Sequence, residues 1–180
     1  MIRISIETTV SYIFGLQFFM TEREYNECVN LYADNVYRFI LKNLRHEEDA
    51  KDVVQGAFEK LWITREQVQS DKVKSYLFTI AYHQMIDFIR KQKRISLKNE
   101  FEEMAMGSGY IQQNAKRILD EALIKLNETQ RSLVMLKDYE GYSYAEIGEI
   151  TGLNESQVKV YLHRARLQLK AYLVKMENVI

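Results

Sequence analysis

From Glu22 to Asn43 the apolar side chains Tyr25, Val29, Tyr32, Val36, Phe39 and Ile40 return at steps of three and four residues, the period of an amphipathic helix. A second stripe, Ala50, Val53, Val54, Ala57, Phe58, Leu61 and Trp62, predicts another helix and leaves Asp49, Asp52, Gln55, Glu59 and Lys60 on its other faces. Gly56 lies inside that helix, where it costs on the order of 1 kcal/mol relative to Ala, so a close neighbour is expected there. After the polar stretch 66–71, a third helix is predicted from about Val73 to Arg94. Tyr76, Leu77, Ile80, Ala81, Ile86 and Ile89 supply its apolar positions, and its last turn is basic, as the helix dipole favours. Periodicity then lapses over 95–114, where the run MGSG at 106–109 marks a linker.

Beyond the linker the pattern resumes with a helix from about Ala115 to Leu126. Asn127 followed by Gln130 has the spacing of a capping box and predicts a new helix over roughly 128–138. Glu140 and Gly141 break it. Ser143 with Glu146 repeats the start signal for a short helix ending near Thr151 and Gly152, and Asn154 with Gln157 launches the last one. A short helix, a tight turn at Gly152 and a longer helix form the helix-turn-helix spacing, here between Thr129 and Leu173, in which the second helix can enter a DNA major groove. Gly148 would let the two helices approach closely. The last helix should bury Val158, Leu162, Ala165 and Leu169. Ser156, Gln157, Lys159, His163, Arg164 and Arg166 then point elsewhere, as groove and phosphate candidates. The same pattern also fits a plain helical hairpin with a solvated basic face.

Composition supports this outline. The 180 residues contain no proline and seven glycines, which favours an all-α chain. The expected fold is two small helical domains joined by a flexible linker, the second a helix-turn-helix domain, with boundaries at 20–94, 95–114 and 115–180. Residues 1–19 form an extension of uncertain status. They are apolar and rich in β-branched residues, which weakly suggests a signal peptide, but Arg3 is the only base ahead of the early acid Glu7 and no small-residue cleavage site follows. Glu7 and the Ser/Thr residues leave too short an apolar run for a membrane span. Translation starting at Met20 is the preferred explanation. Cys28 is the single cysteine, which rules out an internal disulfide and a cysteine-rich zinc site and suits a reducing cytoplasm.

The formal net charge of zero hides a segregated distribution. Residues 87–98 and 155–175 each carry five basic side chains against one acidic, whereas 45–60 carries five acids against three bases. Polycationic blocks of this kind suit a polyanion, and the acidic block calls for a second kind of partner. Catalysis has no visible centre. His46, His83 and His163 are scattered, and neither a metal-ligand spacing, a phosphate loop nor a nucleophile motif occurs. No enzyme activity, cofactor, metal or small-molecule substrate is expected.

Three segments of the second lobe, Leu126 to Arg131 (LNETQR), Tyr139 to Ile147 (YEGYSYAEI) and Val158 to Arg166 (VKVYLHRAR), resemble region 4 of bacterial sigma factors in order and spacing. In the first lobe, Asp49 to Gln55 (DAKDVVQ), with Phe58, Leu61 and Trp62, resembles the polymerase-binding helix of region 2. The stretch from Ser75 to Ala81 (SYLFTIA) on to Arg94 resembles its promoter-melting helix. The match covers nearly everything after Met20, and the lack of a further domain resembles the extracytoplasmic-function (ECF) group of the sigma-70 family. Two departures stand out: Asn127 replaces a frequent proline, and Gly56 replaces a bulkier residue.

The resemblance implies a cytoplasmic transcription initiation factor that binds core RNA polymerase and promoter DNA, without stable membrane insertion. An anti-sigma factor is a further partner in many members of the group. Polymerase contacts are expected at Asp49, Asp52, Gln55, Phe58 and Trp62, although core packing explains the Trp62 ring equally well. The minus-ten element would be held by Lys72, Lys74, Tyr76, Tyr82, Arg90, Lys91, Lys93 and Arg94, with the extruded base taken by the loop before the third helix. Core packing competes for both tyrosines. The minus-thirty-five element would be read by Ser156, Gln157, Lys159, His163, Arg164 and Arg166. The acidic residues Glu100, Glu102 and Glu103 of the linker would face the polymerase's cleft. An alternative is a helix-turn-helix regulator that acts without core polymerase, which leaves the first lobe unexplained. Another is a sigma-like decoy.

Overall fold

The computed structural model describes residues 20–96 and 115–177, so the expectations for residues 1–19 and for the acidic linker residues lie outside the described part. Helix α1 (Glu22–Leu44) starts at Thr21, whose hydroxyl accepts the Glu24 N–H while the Glu24 carboxylate takes the Thr21 N–H in return. It ends at Arg45, which adopts a left-handed conformation (φ 61°) and donates its N–H to Leu41 O. That corner turns the chain into α2 (Glu47–Thr64). Two short 3-10 turns over Arg65–Gln67 and Ser70–Lys72 lead to α3 (Val73–Ser96).

These three helices pack on one another around Val36, Phe39, Ile40, Ala50, Ala57, Leu61, Leu77, Phe78, Ala81 and Met85, all at 0 % exposure. The close neighbour of Gly56 is Gln84, whose amide donates to Gly56 O (3.1 Å); a Cβ on Gly56 would meet the Gln84 side-chain oxygen at 3.0 Å, and that side chain would have to give way.

The second lobe consists of α4 (Ala115–Ile124), α5 (Glu128–Tyr139), α6 (Tyr144–Thr151) and α7 (Glu155–Glu177). Reciprocal cap bonds form at all three expected starts, Asn127 with Gln130, Ser143 with Glu146 and Asn154 with Gln157. The last turn of α5, Met135–Tyr139, widens to a π-helix, with Glu140 N–H reaching back to Met135 O. Leu133, Leu136, Ile147, Ile150, Val158, Leu162 and Ala165 close this core.

The two lobes do not stand apart as the linker alone suggested. Helix α3 packs on α6 and α1 on α5, giving one continuous hydrophobic core. An aromatic chain carries that core across the boundary, Phe39 to Phe78 at 5.6 Å and Phe78 to Tyr142 at 5.5 Å. A buried polar latch lies beside it. The Arg131 guanidinium donates to the carbonyls of Leu123, Ile124 and Leu126 in its own lobe and to Asn43 O in the other. The Ser132 hydroxyl donates to Asn43 Oδ1 (3.0 Å). Burial of Arg131 is tolerated because these carbonyls satisfy its donors. Around the rim, Lys42 pairs with Asp120, Lys93 with Glu128, and both Asn35 and Lys74 with Glu140.

Candidate nucleic-acid and polymerase interfaces

The helix-turn-helix is built by its glycines. Gly152 takes φ 75° and donates its N–H to Gly148 O, ending α6 in a left-handed cap without Cβ strain. A Cβ on Gly148 would lie 2.6 Å from the Leu153 carbonyl oxygen, so the close approach is between α6 and the turn leaving it. Helix α7 buries Val158, Leu162 and Ala165 against the lobe, with Leu169 half-buried behind them. Ser156, Gln157, Lys159, His163, Arg164 and Arg166 are all exposed, as their spacing predicted.

These six differ in their engagements. Arg166 donates to Asp138 (2.5 Å) and Lys159 pairs with Glu155 (2.6 Å) while facing the Tyr144 ring at 5.6 Å. Seven positions apart, both sit on one flank of the outer face. The Gln157 carbonyl oxygen is engaged in the Asn154 cap. Ser156, His163 and Arg164 lie nearer the middle of the face and make no hydrogen bond or ion pair among the described residues. Val160, which sequence periodicity passed over, sits between them with 44 % exposure.

On α2, Asp52, Gln55 and Glu59 share one exposed face, and Gln55 donates to Glu59 (2.8 Å). Ile63 extends the same face, since 52, 55, 59 and 63 follow at helical spacing, and it is 72 % exposed. No apolar stripe predicted it. Asp49 is half-buried against its His46 cap, and Phe58 packs on the core. Trp62 is half-buried, with Tyr25 edge-on at 4.8 Å and the Arg65 guanidinium 4.0 Å from its ring centre. The Trp62 ring therefore closes the core edge while one side stays near the surface.

On α3 the basic end is open: Arg90, Lys91 and Arg94 are exposed, Arg90 in a loose pair with Asp87 at 3.5 Å. Lys72 is exposed as well. Lys74 and Lys93 are held by the second lobe, Lys74 with its ammonium 4.8 Å from the Tyr142 ring and Lys93 at 2.8 Å from Glu128. Tyr76 is half-buried against the core. Tyr82 departs from its expected role, because only 7 % of it is exposed and burial raises its hydroxyl pKa. Its position on the inward stripe of α3 places the ring with the core, so it cannot lie against DNA in this conformation.

Among the described residues no helix is long and apolar enough to cross a membrane, and no group of His, Cys, Asp and Glu is arranged to hold a metal ion.

Residues 28–95 match the family model for sigma-70 region 2, and residues 116–169 match that for sigma-70 region 4. The chain belongs to the sigma-70 family. Within that family its relatives place it in the ECF group of sigma factors. RNA polymerase sigma factor SigV of Bacillus subtilis is 30 % identical over 82 % of this chain and 90 % of that one. Sigma factor YlaC of the same organism is 29 % identical over 80 % and 88 %, and ECF sigma factor SigM is 28 % identical over 81 % and 93 %. The fold is shared with sigma factor RpoE of Bartonella quintana, solved in complex with the anti-sigma factor NepR. The TM-score is 0.71 at 23 % identity, covering 84 % of this sigma factor and 97 % of that chain.

Proposed function

We propose that this sigma factor binds core RNA polymerase through the outer face of α2 and directs it to promoters that α3 and α7 recognise. The observation that carries the proposal is the coexistence, in one family-matched chain, of an exposed acidic face at Asp52, Gln55 and Glu59 with two separate exposed basic faces. A regulator acting alone has no use for the first.

Asp49, Asp52 and Gln55, with Phe58 and Trp62 fixing the helix behind them, form the proposed polymerase contact. Lys72, Arg90, Lys91 and Arg94 are exposed and placed to hold phosphates near the minus-ten element, with Tyr76 half-buried one turn beyond Lys72. Lys74 and Lys93 join when the second lobe releases them. Ser156, Gln157, His163 and Arg164 face the minus-thirty-five element, flanked by Lys159 and Arg166 as phosphate contacts. Spending its working life with polymerase and DNA, the protein acts in the cytoplasm and carries out no chemistry of its own. An anti-sigma factor, as in the Bartonella complex, fits as the agent that keeps it from polymerase.

The test is core-polymerase affinity of Asp52→Lys. Asp52 is exposed and off the core, so the fold should survive while binding weakens at least tenfold. Unchanged affinity would remove α2 from the interface.

A further inference from the structure

Exposed apolar residues on a protein surface are ordinary when scattered, and Val160 would be unremarked anywhere else. Its surroundings make it informative. Counting 100° per residue, Val160 points directly away from the buried line of Val158, Leu162 and Ala165. Its neighbours three and four positions away are Ser156, Gln157, His163 and Arg164, all exposed; Gln157 is engaged in the Asn154 cap, and the other three have no partner among the described residues. It also lies about one and a half turns from the start of α7, the part of a second helix that meets base edges in helix-turn-helix complexes.

We propose that Val160 is a specificity-determining residue that packs on the C5-methyl group of a thymine in the upstream promoter element. This rests on the proposed function of α7 as the minus-thirty-five reader. Along the floor of a major groove every base edge offers hydrogen-bonding groups except one feature, the thymine methyl. A valine in the middle of the reading face, entering the groove between polar neighbours, would leave donors and acceptors of any other base unmatched. Against a thymine it buries methyl on methyl instead. The side chain suits the task because a β-branched residue in a helix is held in essentially one rotamer, so contact orders nothing further. Ser156, His163 and Arg164 remain available for the polar edges and phosphates on either side. On one flank of this face Lys159 pairs with Glu155 of the same helix, and Arg166 reaches Asp138 of α5.

The experiment uses the full chain with core RNA polymerase. Holoenzyme selects bound duplexes from a DNA pool randomised over the upstream element. Binding is then measured on the selected duplex with each thymine replaced in turn by deoxyuridine, which lacks only the methyl group. Wild type is expected to select thymine at one position, or at two adjacent ones, and to lose about fourfold in affinity when that methyl is removed. Val160→Ser should bind the thymine duplex about fourfold more weakly and be indifferent to deoxyuridine there. Val160→Thr, which keeps one methyl, should retain the preference in part. Because the residue is exposed, none of these changes touches the core.

The proposal is overturned if Val160→Ser selects the same thymine with the same deoxyuridine penalty. It is also overturned if Val160→Ser weakens polymerase binding without changing base preference, since the valine then belongs to a protein contact along α7. Selection of a defined upstream element containing no thymine sinks the valine assignment alone. Selection of no upstream element at all sinks the promoter-reading role of α7 beneath it.

Discussion

Asn43→Ala should unlatch the two lobes without unfolding either. The Asn43 side chain is 4 % exposed, accepts the Ser132 hydroxyl at 3.0 Å and donates to Phe39 O at 2.8 Å. Alanine removes both bonds and leaves the Ser132 hydroxyl, at 0 % exposure, with no acceptor. When the lobes separate, that hydroxyl meets water, so most of the penalty falls on the packed form. One lost bond plus one stranded buried group amounts to about 2 kcal/mol, or roughly a 30-fold shift toward the separated form. The Arg131 bond to Asn43 O survives because its acceptor is backbone.

Dyes on cysteines introduced at Lys60 and Lys170, exposed sites on different lobes, report the two populations by single-molecule energy transfer. The separated population should grow by about that factor while circular dichroism stays constant. Populations that agree within about twofold between Asn43→Ala and its parent would refute a latch of this magnitude. A general loss of helicity would show instead that Asn43 supports α1 alone.

Gly148→Ala would gain up to about 1 kcal/mol in helix propensity, yet it drives a Cβ to 2.6 Å from a backbone oxygen. A net loss of about 1–2 kcal/mol and weaker promoter binding are expected, readable by denaturant unfolding and footprinting. Cys28 is buried, and burial pushes its thiol up to about 11. A thiol reagent at neutral pH should therefore leave it unmodified until denaturant is added, and rapid native reaction would contradict the packing of α1. The Glu128 carboxyl is held below its ordinary value first by the Lys93 hydrogen bond. A lowered folded pKa stabilises above the unfolded value and ceases to do so as pH falls through the folded one. Lobe packing should consequently weaken in acid below the usual carboxylate range, and less steeply in Lys93→Gln.

Much of the architecture was legible because helix caps and apolar periodicity are local signals. Asn127, Ser143 and Asn154 announced three helix starts, Gly152 announced the turn, and Val158, Leu162 and Ala165 announced the buried side of α7. What escaped sequence reasoning is long-range and polar. Nothing local distinguishes Arg131, Asn43 and Ser132 from solvated residues, yet their partners lie across the lobe boundary, about 90 positions away in sequence. For the same reason the basic set on α3 reads as one surface although Lys74 and Lys93 are engaged by Glu140 and Glu128. Tyr82 was misplaced because an amphipathic tyrosine fits a core edge as well as a base platform. Val160 and Ile63 were invisible because periodicity marks apolar residues as interior and has no category for exposed ones that a partner covers.

Initiation from a promoter in a system of pure components tests the central claim most directly. Core polymerase with this chain should produce transcripts from defined start points on a mixed pool of bacterial genomic fragments. Permanganate should detect unpaired thymines just upstream of each start only when both proteins are present. Asp52→Lys should abolish the transcripts, and Arg164→Ala should weaken them while lowering the salt slope of promoter binding by about one unit if that side chain holds a phosphate. Sequence-specific DNA binding by the chain alone, with no effect on where or whether core polymerase initiates, would contradict the account.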